Sequence, residues 1–258
     1  MRRRHPILLG AAAAFAVALL LAAPGRTELR VGAASSLREP LSEIAELFAG
    51  EPGGTRVEIA FGASSVLAAQ IRAGAPIDLL LSADERIAER LAAEGLAGAP
   101  VPFASNRLVV VASRDLAPVI HTAGDLTRAE VRRIAIPEHT VPVGRYARTW
   151  LARRGLEAAL MPRVVHTEHA RATLTAVDQG HVDLAIVYAS DARLARSARV
   201  VLEIPASEQP RIAYAAAQIL DSRRATAARA FLRFLTDPRA LAHLAAAGLG
   251  PPPASDLQ

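Results

Sequence analysis

Two pairs of adjacent serines stand in matching surroundings. Ala33-Ala34-Ser35-Ser36-Leu37 closes an apolar run that includes Leu29 and Val31, and a helical pattern begins there. About thirty residues on, Ile59-Ala60-Phe61-Gly62-Ala63-Ser64-Ser65-Val66-Leu67 repeats the arrangement of extended run, small residues, paired hydroxyls and helix. The first turn of a helix leaves backbone N–H groups without intrahelical partners, and the helix dipole puts partial positive charge at the same end. An anion fits there without Lys or Arg, small residues let the backbone approach it, and each serine adds a rotatable donor. Either turn alone is better explained as an ordinary N-cap. The repetition of the whole pattern points instead to two helix starts aimed at one anion.

The elements that must hold these turns follow from periodicity. Leu37, Leu41, Ile44, Leu47 and Phe48 recur at helical spacing, with Glu39, Glu43 and Glu46 on the other side and Pro40 in the first turn. Glu51-Pro52-Gly53-Gly54 ends that helix, Arg56 to Phe61 is strand-like, and Val66 to Ala73 is a second helix ended by Gly74. Ile77 to Leu81 is almost continuously apolar, as expected of a strand covered on both faces. Ser82-Ala83-Asp84 then caps a helix to about Ala93, which Gly95 stops. Alternating strand and helix is the pattern of a mostly parallel α/β sheet.

Leu108 to Ala112 is a buried strand where the chain crosses into a second unit that repeats the logic. Strands are expected at 133–136, 163–166, 182–188 and, as an edge, 199–204, with a loop over 137–143 and helices at 144–154 and 168–179 before the breaker Gly180. Ala213 to Leu220 reads as a strand returning to the first unit, followed by helices at 226–235 and 238–247. The expected division is a first lobe of residues 27–107 plus 212–258 and a second lobe of residues 108–211. Ligands of such sheets bind outside the carboxyl ends of the strands, where both serine turns lie.

Residues 1–25 read as a signal peptide: Arg2, Arg3, Arg4 and His5, an apolar run from Ile7 to Leu21 that is short for a membrane span, then small residues with cleavage near 23–25, an uncleaved membrane anchor being the lesser alternative. The protein is therefore expected in the periplasm. No cysteine is present, which excludes disulfides and a lipid anchor on cysteine. Every basic side chain apart from histidine is Arg, and the formal charge of +5 falls to +2 once Arg2, Arg3 and Arg4 are removed. That balance is too small and too dispersed for a nucleic-acid partner.

With these positions read, the chain resembles the periplasmic molybdate-binding proteins of ABC-type importers, within the type II periplasmic solute-binding proteins. The likeness runs from about Leu29 to Leu249. It rests on the two serine turns, on Gly74-Ala75-Pro76-Ile77-Asp78-Leu79-Leu80-Leu81-Ser82-Ala83-Asp84, on Pro137-Glu138-His139, on Pro142-Val143-Gly144-Arg145-Tyr146-Ala147, and on Ile186-Val187-Tyr188-Ala189-Ser190-Asp191. The resemblance implies a two-lobed fold with the ligand in the interlobe cleft. It also implies a tetrahedral oxyanion, molybdate or tungstate, held by Ser36, Ser64, the backbone N–H groups near Val143 and Ala170, and the Tyr188 hydroxyl. Molybdenum would enter only as that oxyanion, with no further cofactor. The implied partner is the membrane permease of an ABC importer, and the protein is expected to be a monomer and not an enzyme. The loop between His139 and Gly144 is one residue longer than the family pattern, which leaves Val143 open by one residue.

Other chemistries have weaker support. His166 and His169 are three apart without a matching third ligand, so they read as surface histidines and not as a metal site. No nucleophile elbow, P-loop or G-x-G-x-x-G occurs. Asp78 could touch the site, although backbone hydrogen bonding near the cleft or hinge explains it better. Glu138, His139, Glu168 and His169 are expected near the cleft loops of the second lobe. A protonated phosphate would want such a carboxylate, whereas molybdate or sulfate needs donors only. An anion sensor and a cleft enzyme are the remaining alternatives.

Overall fold

A computed structural model describes residues 28–254, so the expected signal peptide lies outside the described residues. Two five-stranded sheets form the core. The first is built from β1 (Leu29–Ala34), β2 (Val57–Gly62), β3 (Leu79–Ser82), β4 (Val101–Ser105) and a late strand at Ala213–Gln218; the second begins with β5 (Leu108–Ala112) and continues with β6 (Ile134–Ala135), β7 (Val164–Val165), β8 (Leu184–Tyr188) and β9 (Arg199–Glu203), which makes the late strand β10. Their orders are β2-β1-β3-β10-β4 and β7-β6-β8-β5-β9.

The two sheets repeat one design. In each, three strands run parallel, β1 between β2 and β3, β6 between β7 and β8. In each, one antiparallel strand that has crossed from the other sheet lies beside them: β10 pairs with β3 and β4, β5 with β8 and β9. The chain thus passes between the sheets twice, just before β5 and again between β9 and β10, and the carboxyl ends of both parallel sets face the cleft between them.

Helices cover the sheets: α1 (Arg38–Gly50), α2 (Ser64–Arg72) and α3 (Glu85–Ala93) in the first lobe, α4 (Pro142–Arg153), α5 (Glu157–Leu160), α6 (Ala170–Asp178) and α7 (Ala189–Ala192) in the second, then α8 (Ala225–Phe234) and α9 (Pro238–Ala246) back on the first. Strands β3, β5 and β8 are buried at every residue, as layers on both faces require. The return of the terminal helices is fixed by aromatic packing, with Phe48 of α1 meeting Phe231 edge-on at 5.0 Å and Phe234 at 5.5 Å. Gly95 (φ 71°) and Gly180 (φ 72°) take the left-handed conformation that ends α3 and α6.

Several expected boundaries move for local reasons. Helix α4 starts at Pro142 and not Gly144, because proline suits the first helical position, where its missing N–H costs nothing. Helix α6 starts at Ala170 and not Glu168, because extended His169 (φ −163°) is its N-cap. Helix α2 starts at Ser64, two residues before Val66. Strands β6 and β7 keep two residues each, and the return strand stops at Gln218. Strand β4 was not expected, since Val101 and Pro102 are exposed and proline argues against a strand interior. Among the described residues no helix is long and apolar enough to cross a membrane.

Candidate functional site

Six chain segments converge in the cleft, one of them the turn between β3 and α3 that carries Ala83. Ala34 leads from β1 into the 3-10 turn Ser35–Leu37 and α1, Ala63 leads from β2 into α2, Val141 and His169 precede α4 and α6, and Tyr188 ends β8. The structure brings Ser36, Ser64, Val143, Ala170 and Tyr188 onto one cavity, together with Ser35, Ala83, Val141 and Pro142. The cavity measures about 10 Å³, about the space one water centre needs. The cavity between the lobes suits a compact ligand and has no room for anything the size of a sugar or peptide.

The helix starts here are poorly capped from within. The first intrahelical bond of α2 runs from Leu67 N to Ala63 O (3.0 Å), and no side chain caps its N-terminus, which leaves the N–H groups of Ser64, Ser65 and Val66 without helical partners. In α4 the first such bond is Arg145 N to Val141 O (3.0 Å). Val141 N already donates to Glu138 O (2.9 Å) and Pro142 has no N–H, so Val143 is the one residue of this loop on the cavity with an unengaged backbone donor. In α6 the His169 ring accepts from Ala172 N (3.1 Å), leaving Ala170 and Arg171.

The side chains are set as donors too. Ser64 Oγ accepts from Ala83 N (3.0 Å), so its hydroxyl hydrogen is free for a ligand. Ser36 Oγ lies 2.8 Å from the Tyr214 hydroxyl, which accepts from Asn106 Nδ2 (3.2 Å), while that amide also donates to Ser190 Oγ (2.8 Å). With Tyr214 donating to Ser36, the chain Asn106, Tyr214, Ser36 ends on a hydroxyl aimed at the cavity. Burial pushes the Tyr214 phenol up, so it stays protonated. Tyr188 is 1% exposed and its hydroxyl is buried without a hydrogen-bond partner. Burial, with Tyr214, Tyr146 and Asp191 nearby, drives its pKa well above the phenol range, so it too remains an O–H donor.

Among the described residues no charged side chain lines the cavity. Glu138 pairs with His166 (3.7 Å) and lies 4.0 Å from His139, and His169 serves as a helix cap whose pKa burial lowers. None of these, nor Glu168, reaches the cavity, so the carboxylate a protonated phosphate would use is missing from it. Asp78 is away from the site: it precedes β3 at the far end of the sheet, accepts from Arg30 N (2.8 Å) and Ser222 Oγ (2.7 Å), and faces Arg224 at 3.6 Å. Its backbone role was expected, its place was not. Among the described residues no three His, Asp or Glu side chains gather as metal ligands.

Sequence reasoning missed Tyr214 and Asn106. Tyr214 sits in a run of alanines that reads only as a buried strand, and its contact with Ser36 spans 178 positions, which no local signal carries.

The chain is similar to known proteins in sequence and in fold. The molybdate-binding protein ModA of Escherichia coli is 34% identical over 240 residues, covering 90% of this chain and 91% of the relative. The solved periplasmic molybdate-binding protein of Azotobacter vinelandii superposes with a TM-score of 0.77 at 27% identity, over 87% of this chain and 99% of that one. The sulfate-binding protein SubI of Mycobacterium tuberculosis shares the fold alone (TM-score 0.75, 20% identity, 87% of each chain). A family profile described as bacterial extracellular solute-binding protein matches residues 29–250, and this chain belongs to that family.

Proposed function

We propose that this protein captures molybdate, with tungstate as the ion of nearest chemistry, and presents it to the membrane permease of an ABC importer. The observation that carries the reading is the Tyr188 hydroxyl, a buried donor without a partner on a cavity that holds further donors and, among the described residues, no carboxylate. A fully deprotonated tetrahedral oxyanion accepts from every direction and asks for donors only. The hydroxyls of Ser36, Ser64 and Tyr188 and the N–H groups of Val143 and Ala170 supply them from both lobes, in a dry site where each charge-assisted bond is stronger than in water. The names of the relatives support the same ion.

Binding from both lobes favours the closed state, so capture is a hinge closure and release its reversal. Molybdenum enters only as the oxyanion, with no resident cofactor. Among the described residues no histidine or carboxylate stands on the cavity to activate a serine, which supports carriage over catalysis. The leading segment 1–25 supports export to the periplasm, where a monomer would meet the permease. Sulfate carries the same charge and shape, so cavity size must separate the two ions. Isothermal titration with molybdate, tungstate, sulfate and phosphate tests the assignment: molybdate and tungstate should bind tightly, and binding of sulfate or phosphate with none of molybdate would refute it.

A further inference from the structure

Two ion pairs cross the cleft on elements that also line the cavity. Arg145, two residues past Val143 on α4, pairs with Asp84 at the start of α3, next to cavity-lining Ala83. Tyr146 strengthens that contact, its hydroxyl 3.4 Å from Asp84 Oδ1 and 3.5 Å from Ala83 O. Arg171, adjacent to Ala170 on α6, pairs with Glu39, one turn beyond Ser36 on α1. The first pair ties α4 to α3 and the second ties α6 to α1, so different helices of each lobe are involved.

Each pair has a bridging charge that keeps a partner inside its own lobe. Asp84, only 2% exposed at its side chain, also accepts from Arg86 N (3.2 Å) and faces Arg86 Nε at 3.4 Å. Arg171 also faces the fully buried Asp191 at 3.4 Å. Opening the lobes removes Arg145 from Asp84 and Glu39 from Arg171, yet each bridging side chain keeps a polar partner inside its own lobe. Breaking a buried pair is costly when it strands a charge, and here the stranding is avoided, which suits a contact made and broken in every cycle.

We infer that Arg145–Asp84 and Glu39–Arg171 are closure clasps: positioning residues that hold the lobes together without touching the anion and thereby set how long it stays. The inference rests on the oxyanion reading for its kinetic effect, while its conformational effect can be read without ligand. Arg145→Gln and Glu39→Gln each remove the travelling partner and leave the bridging charge with its partner inside the lobe. Molybdate dissociation, followed by stopped flow, should accelerate about tenfold for each variant, with association changed less than about threefold, because lost contacts in a closed complex act chiefly on dissociation. In solution scattering without any ion, both variants should show a larger radius of gyration than the parent protein, and the double variant the largest. Thermal unfolding of Glu39→Gln, at a surface position, should match the parent and so separates closure from folding. Parent-like scattering in all three variants overturns the clasps, whether or not rates change. Larger scattering radii with parent-like dissociation overturns their role in retention. If no oxyanion binds at all, the proposed function fails while the scattering comparison still decides the clasps.

Discussion

Tyr188 and Ser36 donate to the same cavity but differ in what they do without a ligand. The Tyr188 hydroxyl is buried and unpartnered, so Tyr188→Phe removes a donor to a charged acceptor and also a buried polar group that is unsatisfied in the empty protein. Molybdate affinity should fall by about 1.5–3 kcal/mol, while unfolding without ligand should be unchanged or higher in midpoint. Ser36→Ala should lower affinity by a similar amount and stability as well, because it strips Tyr214 of its 2.8 Å partner. Titration calorimetry beside ligand-free thermal unfolding separates the two; a destabilised Tyr188→Phe protein would show that its hydroxyl has a structural partner. The repeat of small residues and paired serines at strand ends marked the two turns that the structure puts on the cavity, and the resemblance singled out Ser36 and Ser64 in them and added Val143, Ala170 and Tyr188, which line it too. Tyr214 and Asn106 were not legible, since their part in the site depends on which strands lie side by side.

At the scale of elements, the start of α4 is the joint most exposed to a small change. A Cβ on Gly144 would lie 2.4 Å from the carbonyl oxygens of both Pro137 and Glu138, against backbone that cannot swing aside. Gly144→Ala must therefore push the first turn of α4 outward and carry the Val143 N–H with it. Overpacking of this kind costs about 1–3 kcal/mol of stability. Oxyanion affinity should fall with it, whereas Gly50→Ala, where an added Cβ meets nothing within 4 Å, should leave both unchanged. Equal behaviour of the two variants in unfolding and titration would contradict the packing argument. Elements of this fold were readable because β3, β5 and β8 are continuous apolar runs and the helices carry one-sided stripes. What stayed hidden were the first residues of α2, α4 and α6. Their position depends on which residue serves as cap, and Ala63, Val141 and His169 are not residues that announce a cap.

For the molecule as a whole, the clasped arrangement places one carboxyl in an unusual setting. Asp191 is fully buried, neither oxygen has a hydrogen bond, and Arg171 at 3.4 Å divides its charge between Asp191 and Glu39. Burial pushes the Asp191 pKa up to about 7, against the pull of Arg171 and with Glu39 raising it further. A carboxyl that binds its proton more tightly folded than unfolded makes folding take up a proton. Its contribution is whole below the ordinary carboxyl value of 3.8 and is lost as pH rises through about 7. Asp178 works oppositely: burial tends to raise it, but N–H donation from Ala198, Arg196 and Ser197 outweighs that and holds it low, so its contribution is lost on acidification. Stability should therefore decline toward both extremes, with the alkaline limb belonging to Asp191. Urea midpoints measured from pH 5 to 8 should fall for the parent protein and fall less for Asp191→Asn, so that the variant gains on the parent as pH rises. Parallel curves would mean that Asp191 is ionised throughout this range and that Arg171 neutralises it in full. The falling difference would mean that the lobe carrying Tyr188 holds a neutral carboxyl on the acid side of pH 7 and a charged, less favourable one above it.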